Sequence, residues 1–489
     1  MLMICSVLFP VLAGILLYFW KPDEHRERRD FVVFVACVTS VIALLAVATL
    51  LGDAPFVLIP LTERLSISFR VDGLSAVFAV MVSLLWPLAT LYGTEYMSHE
   101  GGEDRFFAFY LAAFGVTLGI AFSANIMTLY FFYELLTLIT LPLVMHSMDS
   151  KARYAGKVYL VYSMSGAALG FIAMVFLLQY GAPMFQFGGS VQLAADMEAG
   201  ILRIAYVLGF FGFGVKAAVF PGHKWLLRAS VAPTPVTALL HAVAVVKSGV
   251  FAVIRLTWYG FGPELLRGTW AQWLIMLAAA FTIVYGSAKA LNTNHLKRRL
   301  AWSTISNLSY ILLGVTTLTT AGLVAGLTHM VFHAVLKIVL FFGVGAIHFM
   351  IHRDHVPDIE GCGPLMPVVF STFTATALGL MGVPPLAGFS SKWMLATACT
   401  GLDSVLGWIG AAALIASAIM TGLYMMQIVL LAYFPRQHRV LSVKIPRRAR
   451  RDPGFAMAFP LILLTVASIV MGFSAGRVVS VIQTLVLGA

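Results

Sequence analysis

The sequence predicts an all-α polytopic membrane protein with about 14 transmembrane helices. Hydrophobic residues make up 60% of the 489 residues and charged residues only 11%, whereas a soluble globular chain carries about 25% charged residues. Apolar runs recur from end to end, and each is long enough, at about 20 residues, to cross a hydrocarbon core of roughly 30 Å. The short alternating segments that build a transmembrane barrel are absent from the sequence. A soluble fold is therefore excluded.

Hydropathy places fourteen predicted spans along the chain. They lie near 2–20, 31–51, 73–93, 105–123, 125–146, 155–180, 202–220, 235–257, 270–291, 300–318, 322–350, 368–399, 405–433 and 455–485. The first span runs directly into a charged loop, so we expect an uncleaved helix there rather than a signal peptide.

The basic residues divide unevenly between the two sets of predicted loops. Twenty-two Lys and Arg residues fall on one side and six on the other. Because cytoplasmic loops carry the excess of Lys and Arg, we expect both termini to face outside, with the loops at 147–154 and 434–453 inside. The net charge of +11 therefore reflects orientation in a cell inner membrane and does not indicate a nucleic-acid partner.

Two predicted spans contain helix breakers. The seventh carries Pro221 and runs towards Pro235, and the twelfth carries Pro384 and Pro385. Because proline removes a backbone donor and clashes with the preceding turn, both helices should be interrupted. Breaks at matching places indicate two inverted five-helix repeats. The predicted organisation is helices 1–3 in 1–104, a first repeat (helices 4–8) in 105–257, a second repeat (helices 9–13) in 270–433 and helix 14 in 455–489.

Most charged residues lie in the predicted loops or near the ends of spans, and five others lie inside the spans: Glu134, Lys216, Lys247, Lys337 and Lys392. Each costs at least about 2.5–3.5 kcal/mol in lipid, so each must face protein or water. The first four fall near one plane halfway through the membrane, which suits lateral proton transfer because a desolvated lysine releases its proton readily. A static ion pair is the alternative, but one carboxylate accounts for one lysine and leaves three unexplained.

Histidines extend this set along the predicted eleventh span. His329, His333 and Lys337 recur at every fourth position and share one helical face. Histidine titrates near neutral pH and passes protons through either ring nitrogen. The alternatives are ordinary core histidines, or a metal pair at His329 and His333 that lacks a third ligand nearby in sequence. His241 lies between the seventh-span break and Lys247, where it is placed to link them.

The remaining residues carry no cofactor motif. The four cysteines, Cys5, Cys37, Cys362 and Cys399, have no metal-ligand spacing. The sequence has no nucleotide, haem or iron–sulfur motif. We therefore predict neither a cofactor nor a metal.

Several stretches resemble a known family. Residues 214–256 read GVKAAVFPGHKWLLRASVAPTPVTALLHAVAVVKSGVFAVIRL. This stretch resembles the signature of the antiporter-like subunits found in respiratory complex I, Mrp-type cation/proton antiporters and membrane-bound hydrogenases. Residues 296–314, 328–348 and 382–393 fit the same family, so the resemblance covers roughly 70–430.

The resemblance implies fourteen helices in two inverted five-helix repeats, with broken helices 7 and 12. It also implies site roles: a proton-transfer pair at Glu134 and Lys216, a central lysine at Lys247, a helix-11 run at His329, His333 and Lys337, and a terminal charge at Lys392. Some members carry Glu where this chain has Lys392. That difference, together with the sequence HAVAVVK at 241–247, favours hydrogenase- or Mrp-type relatives.

The implied function is proton translocation, with Na⁺ as the alternative ion, beside other membrane subunits of a complex I-like, hydrogenase or Mrp-type assembly. The chain shows no redox-centre motif, so electrons would belong to partner subunits and the chain would be a translocase subunit. Two other interpretations stay open. A free-standing cation/proton exchanger should be stable and active alone, and a structural membrane subunit would not transport ions.

Overall fold

The computed structural model describes residues 1–62, 64–191, 196–435 and 452–488. Within these ranges the chain is almost entirely helical, with one two-stranded hairpin. The all-α membrane class predicted from sequence is confirmed. Most of the predicted loop at 434–453 lies outside the described residues.

The elements of the first half follow in chain order. They are α1 (Leu2–Trp20), α2 (His25–Leu50), β1 (Phe56–Pro60), β2 (Ser66–Phe69), α3 (Gly73–Met97), α4 (Glu103–Ala121), α5 (Ile126–Val144), α6 (Ser150–Tyr180), α7 (Asp196–Gly214), α8 (Lys224–Ala229), α9 (Thr234–Ala242), α10 (Val245–Ile254) and a π-helical segment (Arg255–Phe261).

The second half continues with the following elements. They are α11 (Pro263–Leu266), α12 (Trp270–Leu291), α13 (Leu296–Thr316), α14 (Thr320–Ile351), short 3₁₀ helices (Val356–Ile359 and Gly363–Leu365), α15 (Pro367–Met381), α16 (Ala387–Thr400), α17 (Val405–Tyr433), α18 (Phe455–Phe473) and α19 (Ala475–Leu487).

Each predicted span coincides with a helix or a broken helix. In the described ranges, eleven helical spans are long and apolar enough to cross a membrane. The other three predicted spans correspond to the broken pairs α7–α8 and α15–α16 and to α13, whose first turn is basic. The fourteenth predicted span is bent, because α18 ends at Phe473 and α19 begins at Ala475.

The eighth predicted span, 235–257, is also interrupted between α9 and α10, although its sequence indicates a continuous helix. The backbone N–H groups of Val243 and Ala244 both donate to the carbonyl of Leu239, at 3.1 and 2.8 Å. The regular hydrogen-bond ladder therefore slips by one residue at this point, and α10 begins anew at Val245. The interruption places Lys247 in the first turn of a helix.

The helix ends gather at two opposite ends of the bundle. One end, here called the hairpin end, carries β1 and β2, and Phe69 bridges to Ser123 after α4. The other, here called the basic end, joins the loops after α1, α3, α5, α12 and α14. An isolated bridge between His295 and His355 and an ion pair between Arg28 and Asp104 connect neighbouring loops there.

The central helix is α14. Its 32 residues would extend for about 48 Å, and they are buried along most of their length. Neighbours on all sides, α9, α13, α15, α16 and α18, pack against it. A helix that is apolar all round needs such surroundings, and they place the face of His329, His333 and Lys337 inside the protein.

Candidate proton-transfer site

The first charged pair lies between α5 and the turn that follows α7. Lys216 is fully buried, and its Nζ lies 3.8 Å from Oε1 of Glu134. The same amine donates to the carbonyl of Tyr133 and lies 3.4 Å from the centre of that ring. A carboxylate, a carbonyl and an aromatic face thus share one buried positive charge, which makes the burial tolerable.

Lys247 projects from the first turn of α10 into the protein interior. It is fully buried, and its Nζ lies 2.8 Å from Nδ1 of His333 on α14. Gly249, half a turn later, lets α10 approach the first pair: a Cβ at this position would stand 2.8 Å from the Cβ of Lys216. The backbone of α10 next to Lys247 is therefore packed directly against the backbone next to Lys216.

The face of α14 continues the contact made by Lys247. The rings of His333 and His329 are centred 5.9 Å apart, and Nδ1 of His329 lies 3.0 Å from Oγ of Ser391. The His329 ring also stacks on Tyr310, at 5.2 Å. An ordered row of titratable and hydroxyl groups thus runs from Lys247 to the residue beside Lys392.

Lys392 lies in the second turn of α16, and its side chain reaches back across the break to α15. Its Nζ donates to the carbonyls of Leu380 and Met381, at 2.7 and 3.1 Å. These carbonyls belong to the last turn of α15, where the helix dipole attracts a cation. The amine also lies 5.6 Å from the centre of the Tyr310 ring.

Lys337 reaches from α14 to the beginning of α13. Its Nζ donates to the carbonyl of Leu300 at 3.2 Å, and Leu300 lies only four residues after the start of α13. The amine therefore points towards the basic end. His329 and Lys337 are separated by about 12 Å along α14, because each residue between them adds about 1.5 Å of rise.

His241 is buried in α9 and packs against Phe341, with ring centres 4.9 Å apart and ring planes at 42°. Neither of its ring nitrogens has a hydrogen-bond partner among the described residues. The structure therefore shows no direct hydrogen bond from His241 to Lys247. The linking role suggested by its sequence position stays a prediction.

Six of the eight predicted site residues form two groups, and His241 and Lys337 belong to neither. One is the pair of Glu134 and Lys216, and the other runs from Lys247 through the α14 histidines to the surroundings of Lys392. Within the described chain, no hydrogen bond between protein groups joins Lys216 to Lys247. Proton transfer between the two groups would therefore need water or a side-chain movement.

An ion pair at the hairpin end was not anticipated from the sequence. Arg255 is buried, and its guanidinium holds both carboxylate oxygens of Asp72 at 2.5 and 2.7 Å and Oγ of Ser75 at 2.7 Å. Burial opposes ionisation of Asp72, but the charge and hydrogen bonds of Arg255 outweigh it and lower the pKa of Asp72 to about 2. The ion pair connects the start of α3 to the start of the π-helical segment that follows α10.

Glu95 also lies in a spanning helix. The third span was predicted to end at 93, but α3 continues to Met97 and so includes Glu95. The Glu95 carboxylate accepts hydrogen bonds from the N–H groups of Gly454 and Met457, at 2.6 and 3.1 Å. It therefore caps the start of α18 at the basic end and is not part of either group.

Two family models match most of the chain. The model described as "NADH:quinone oxidoreductase/Mrp antiporter, TM" matches residues 123–421. The model described as "NADH-Ubiquinone oxidoreductase (complex I), chain 5 N-terminus" matches residues 60–107. Together the matches include every site residue predicted from sequence.

Similar proteins come from several kinds of assembly. An NAD(P)H-quinone oxidoreductase chain 5 from Picosynechococcus is 30% identical over 84% of this chain and 64% of its own length. A probable K⁺/H⁺ antiporter component from Rhizobium meliloti is 29% identical over 94% of this chain and 46% of its own length. The chain thus spans from about half to two thirds of the length of these relatives.

A solved structure of the Mrp complex from a Dietzia species contains a chain with a similar fold. It superposes with a TM-score of 0.84 at 22% identity and covers 99% of this chain and 98% of that one. At this identity the likeness establishes the fold alone.

Proposed function

The chain belongs to the NADH:quinone oxidoreductase/Mrp antiporter family of membrane proteins, and we propose that it is a proton-translocating, antiporter-like subunit of a multisubunit membrane complex. Its partners would be the other membrane subunits of a complex I-like, hydrogenase or Mrp-type assembly. Na⁺ is the alternative ion. Residues 105–257 and 270–433 would be the two inverted repeats, with both termini outside and the basic end in the cytoplasm.

The contact between Lys247 and His333 is the observation that carries this function. Both side chains are fully buried, and the amine lies 2.8 Å from a ring nitrogen, which is hydrogen-bonding distance. No carboxylate forms an ion pair with Lys247 in the described chain. A buried lysine whose partner is an imidazole can exchange a proton with it, whereas a structural lysine would be expected beside a permanent anion.

The helix dipoles act in opposite directions on the positive charges of Lys247 and Lys392, the two ends of the second group. Lys247 stands in the first turn of α10, where the helix dipole disfavours positive charge. Lys392 stands over the last carbonyls of α15, where the dipole favours it. The fixed field of the two broken helices would therefore draw a proton from Lys247 through His333 and His329 towards Lys392.

The pair of Glu134 and Lys216 would control when the proton leaves Lys247. A protonated Lys216 close to Glu134 is neutralised, whereas separation of the pair leaves a net positive charge next to α10. That charge would repel a proton on Lys247 and drive it towards His333. Opening and closing of the pair between Glu134 and Lys216 would thus couple the two groups.

The test is proton movement by the purified complex in liposomes. A pH-sensitive dye would report proton movement when an electron donor is supplied or when a K⁺ or Na⁺ gradient is imposed. We expect proton movement with at least one of these driving forces. If the intact complex moves no protons under any of them, the chain is a structural subunit.

A free-standing exchanger is the second candidate, because the buried row of titratable and hydroxyl groups that begins at Lys247 is formed within this one chain. The isolated full-length chain in liposomes distinguishes the two. Exchange at the rate of the complex would favour the free-standing exchanger, whereas exchange that requires the partner subunits supports the proposal.

A further inference from the structure

A cavity of about 550 Å³ opens at the basic end, between the two halves of the bundle. Its walls come from α6, α8, α12 and α13. Five cationic side chains line it: Lys151, Lys224, Arg228, Lys289 and Arg298. No acidic side chain is among the described residues of the lining. In the described part of the chain, none of the five forms an ion pair.

A cavity with this much positive charge is expected to bind an anion. Five cations around one cavity repel one another and create a strong positive potential. The side chain of His223 also lines the cavity. This residue is 1% exposed, and neither of its ring nitrogens has a hydrogen-bond partner in the described chain. A buried donor without a partner, surrounded by cations, is suited to a phosphate group.

An apolar cavity of about 340 Å³ adjoins the cationic one. Its lining includes Pro221 and Gly222, which directly precede His223. On α6 its lining begins at Val161, six residues after Ala155 of the cationic cavity and therefore about 9 Å deeper along the helix. Along α6 and the turn before α8, the cavity linings thus change from cationic to apolar with distance from the basic end.

We propose that these two cavities bind one anionic phospholipid, with its headgroup phosphate among the five cations and an acyl chain along the apolar groove. Basic pockets between transmembrane helices are typical sites for anionic headgroups. Tyr154 and Val231 line the cationic cavity and are 54% and 41% exposed, which suits contact with lipid. A free phosphate ion would leave this apolar half uncovered.

The lipid would join the two halves of the protein. Its headgroup would contact α6 and α8 on one side and α12 and α13 on the other, directly beside the break that follows α7. This site does not depend on proton transfer, because none of its cations belongs to either titratable group.

The test measures lipid binding to the purified full-length protein in mild detergent. Native mass spectrometry would compare added phosphatidylglycerol, phosphatidylcholine and inorganic phosphate. The test variant is Lys224→Gln with Arg298→Gln, which removes one cation from each half. The matched control is Arg153→Gln with Lys157→Gln, which removes two exposed cations of α6 that do not line the cavity.

We expect phosphatidylglycerol to bind in preference to phosphatidylcholine and the test variant to bind it roughly 30-fold more weakly, since each cation near a headgroup contributes appreciably. The control should bind normally. Ser165→Trp, which fills the apolar groove, should weaken the binding of lipid but not of inorganic phosphate. Equal binding by both double variants would overturn the site, and phosphate that binds as well as phosphatidylglycerol would show a free-anion site instead.

Discussion

Removal of the Asp72 carboxylate should destabilise the fold more than the loss of any exposed acidic residue. The carboxylate accepts two hydrogen bonds from the guanidinium of Arg255, which is 1% exposed at its side chain. Loss of one partner from a buried ion pair typically costs about 3–5 kcal/mol, because the other charge stays buried and uncompensated. The Asp72 side chain is itself 18% exposed. We therefore place Asp72→Asn at the lower limit, about 3 kcal/mol.

Two substitutions of Asp72 distinguish the contribution of its charge from the contribution of its hydrogen bond at the start of α3. Oδ1 of Asp72 also accepts the N–H of Ser75 at 2.9 Å. Asparagine keeps this cap but loses the charge, whereas alanine loses both, so Asp72→Ala should cost about 1 kcal/mol more than Asp72→Asn. The double variant Asp72→Asn with Arg255→Met should recover part of the loss, because the fully buried charge of Arg255 is removed. Arg70, which also pairs with Asp72 at 3.2 Å, keeps its charge, so recovery should be incomplete.

Thermal unfolding of the detergent-solubilised protein is the assay. Monomer remaining after heating would be measured by size-exclusion chromatography for each variant. Asp53→Ala, which removes an exposed acid at the same end of the bundle, is the matched control. The argument fails if Asp72→Asn has the same melting temperature as Asp53→Ala and the wild type. It also fails if the double variant is less stable than either single variant.

Three further predictions concern named side chains. Glu134→Gln should reduce proton movement at least about 10-fold in an assembled complex, because the charge that couples the two groups is lost; an unchanged rate would separate the pair from transport. Lys392→Met should leave the last carbonyls of α15 without their donor and lower the free energy of unfolding by about 1 kcal/mol. A melting temperature below that of the wild type would support this, and an unchanged melting temperature would refute it. The wild type should lose stability as the pH falls from about 4 towards 2, since the folded pKa of Asp72 lies below its unfolded value. Asp72→Asn should lack that acid-dependent loss, and an identical pH profile would contradict this origin.

The charges at the site could be found from sequence because a charged residue in an apolar run stands out. Lys216, Lys247 and Lys337 are each surrounded by small and aliphatic residues, and lipid exposure of any of them is too costly. The proline pairs marked the breaks in helices 7 and 12 for an equally local reason. Periodicity alone placed the histidines of α14 on the face that contains Lys337.

The partners of these charges could not be found in this way. Tyr310 and Ser391 are common polar residues, and only tertiary packing brings them to His329. The interruption at Val243 and Ala244 has no proline or glycine to mark it, so it depends on packing of α9 and α10 against their neighbours. The direction in which Lys337 points depends on the tilt and length of α14, which hydropathy does not specify.

The central claim is that Lys247 carries the proton, and transport by variants of this residue tests it most directly. The assay is proton movement or cation exchange in vesicles that contain the complete complex, with assembly verified for each variant. Lys157→Ala, an exposed lysine on α6, is the control. Lys247→Ala should lower the rate on the order of 100-fold, the usual size of a proton-transfer contribution. Lys247→Arg should fail as well, because arginine keeps its proton. Normal transport by a fully assembled Lys247→Ala variant would contradict the claim and leave a structural role for the buried lysine.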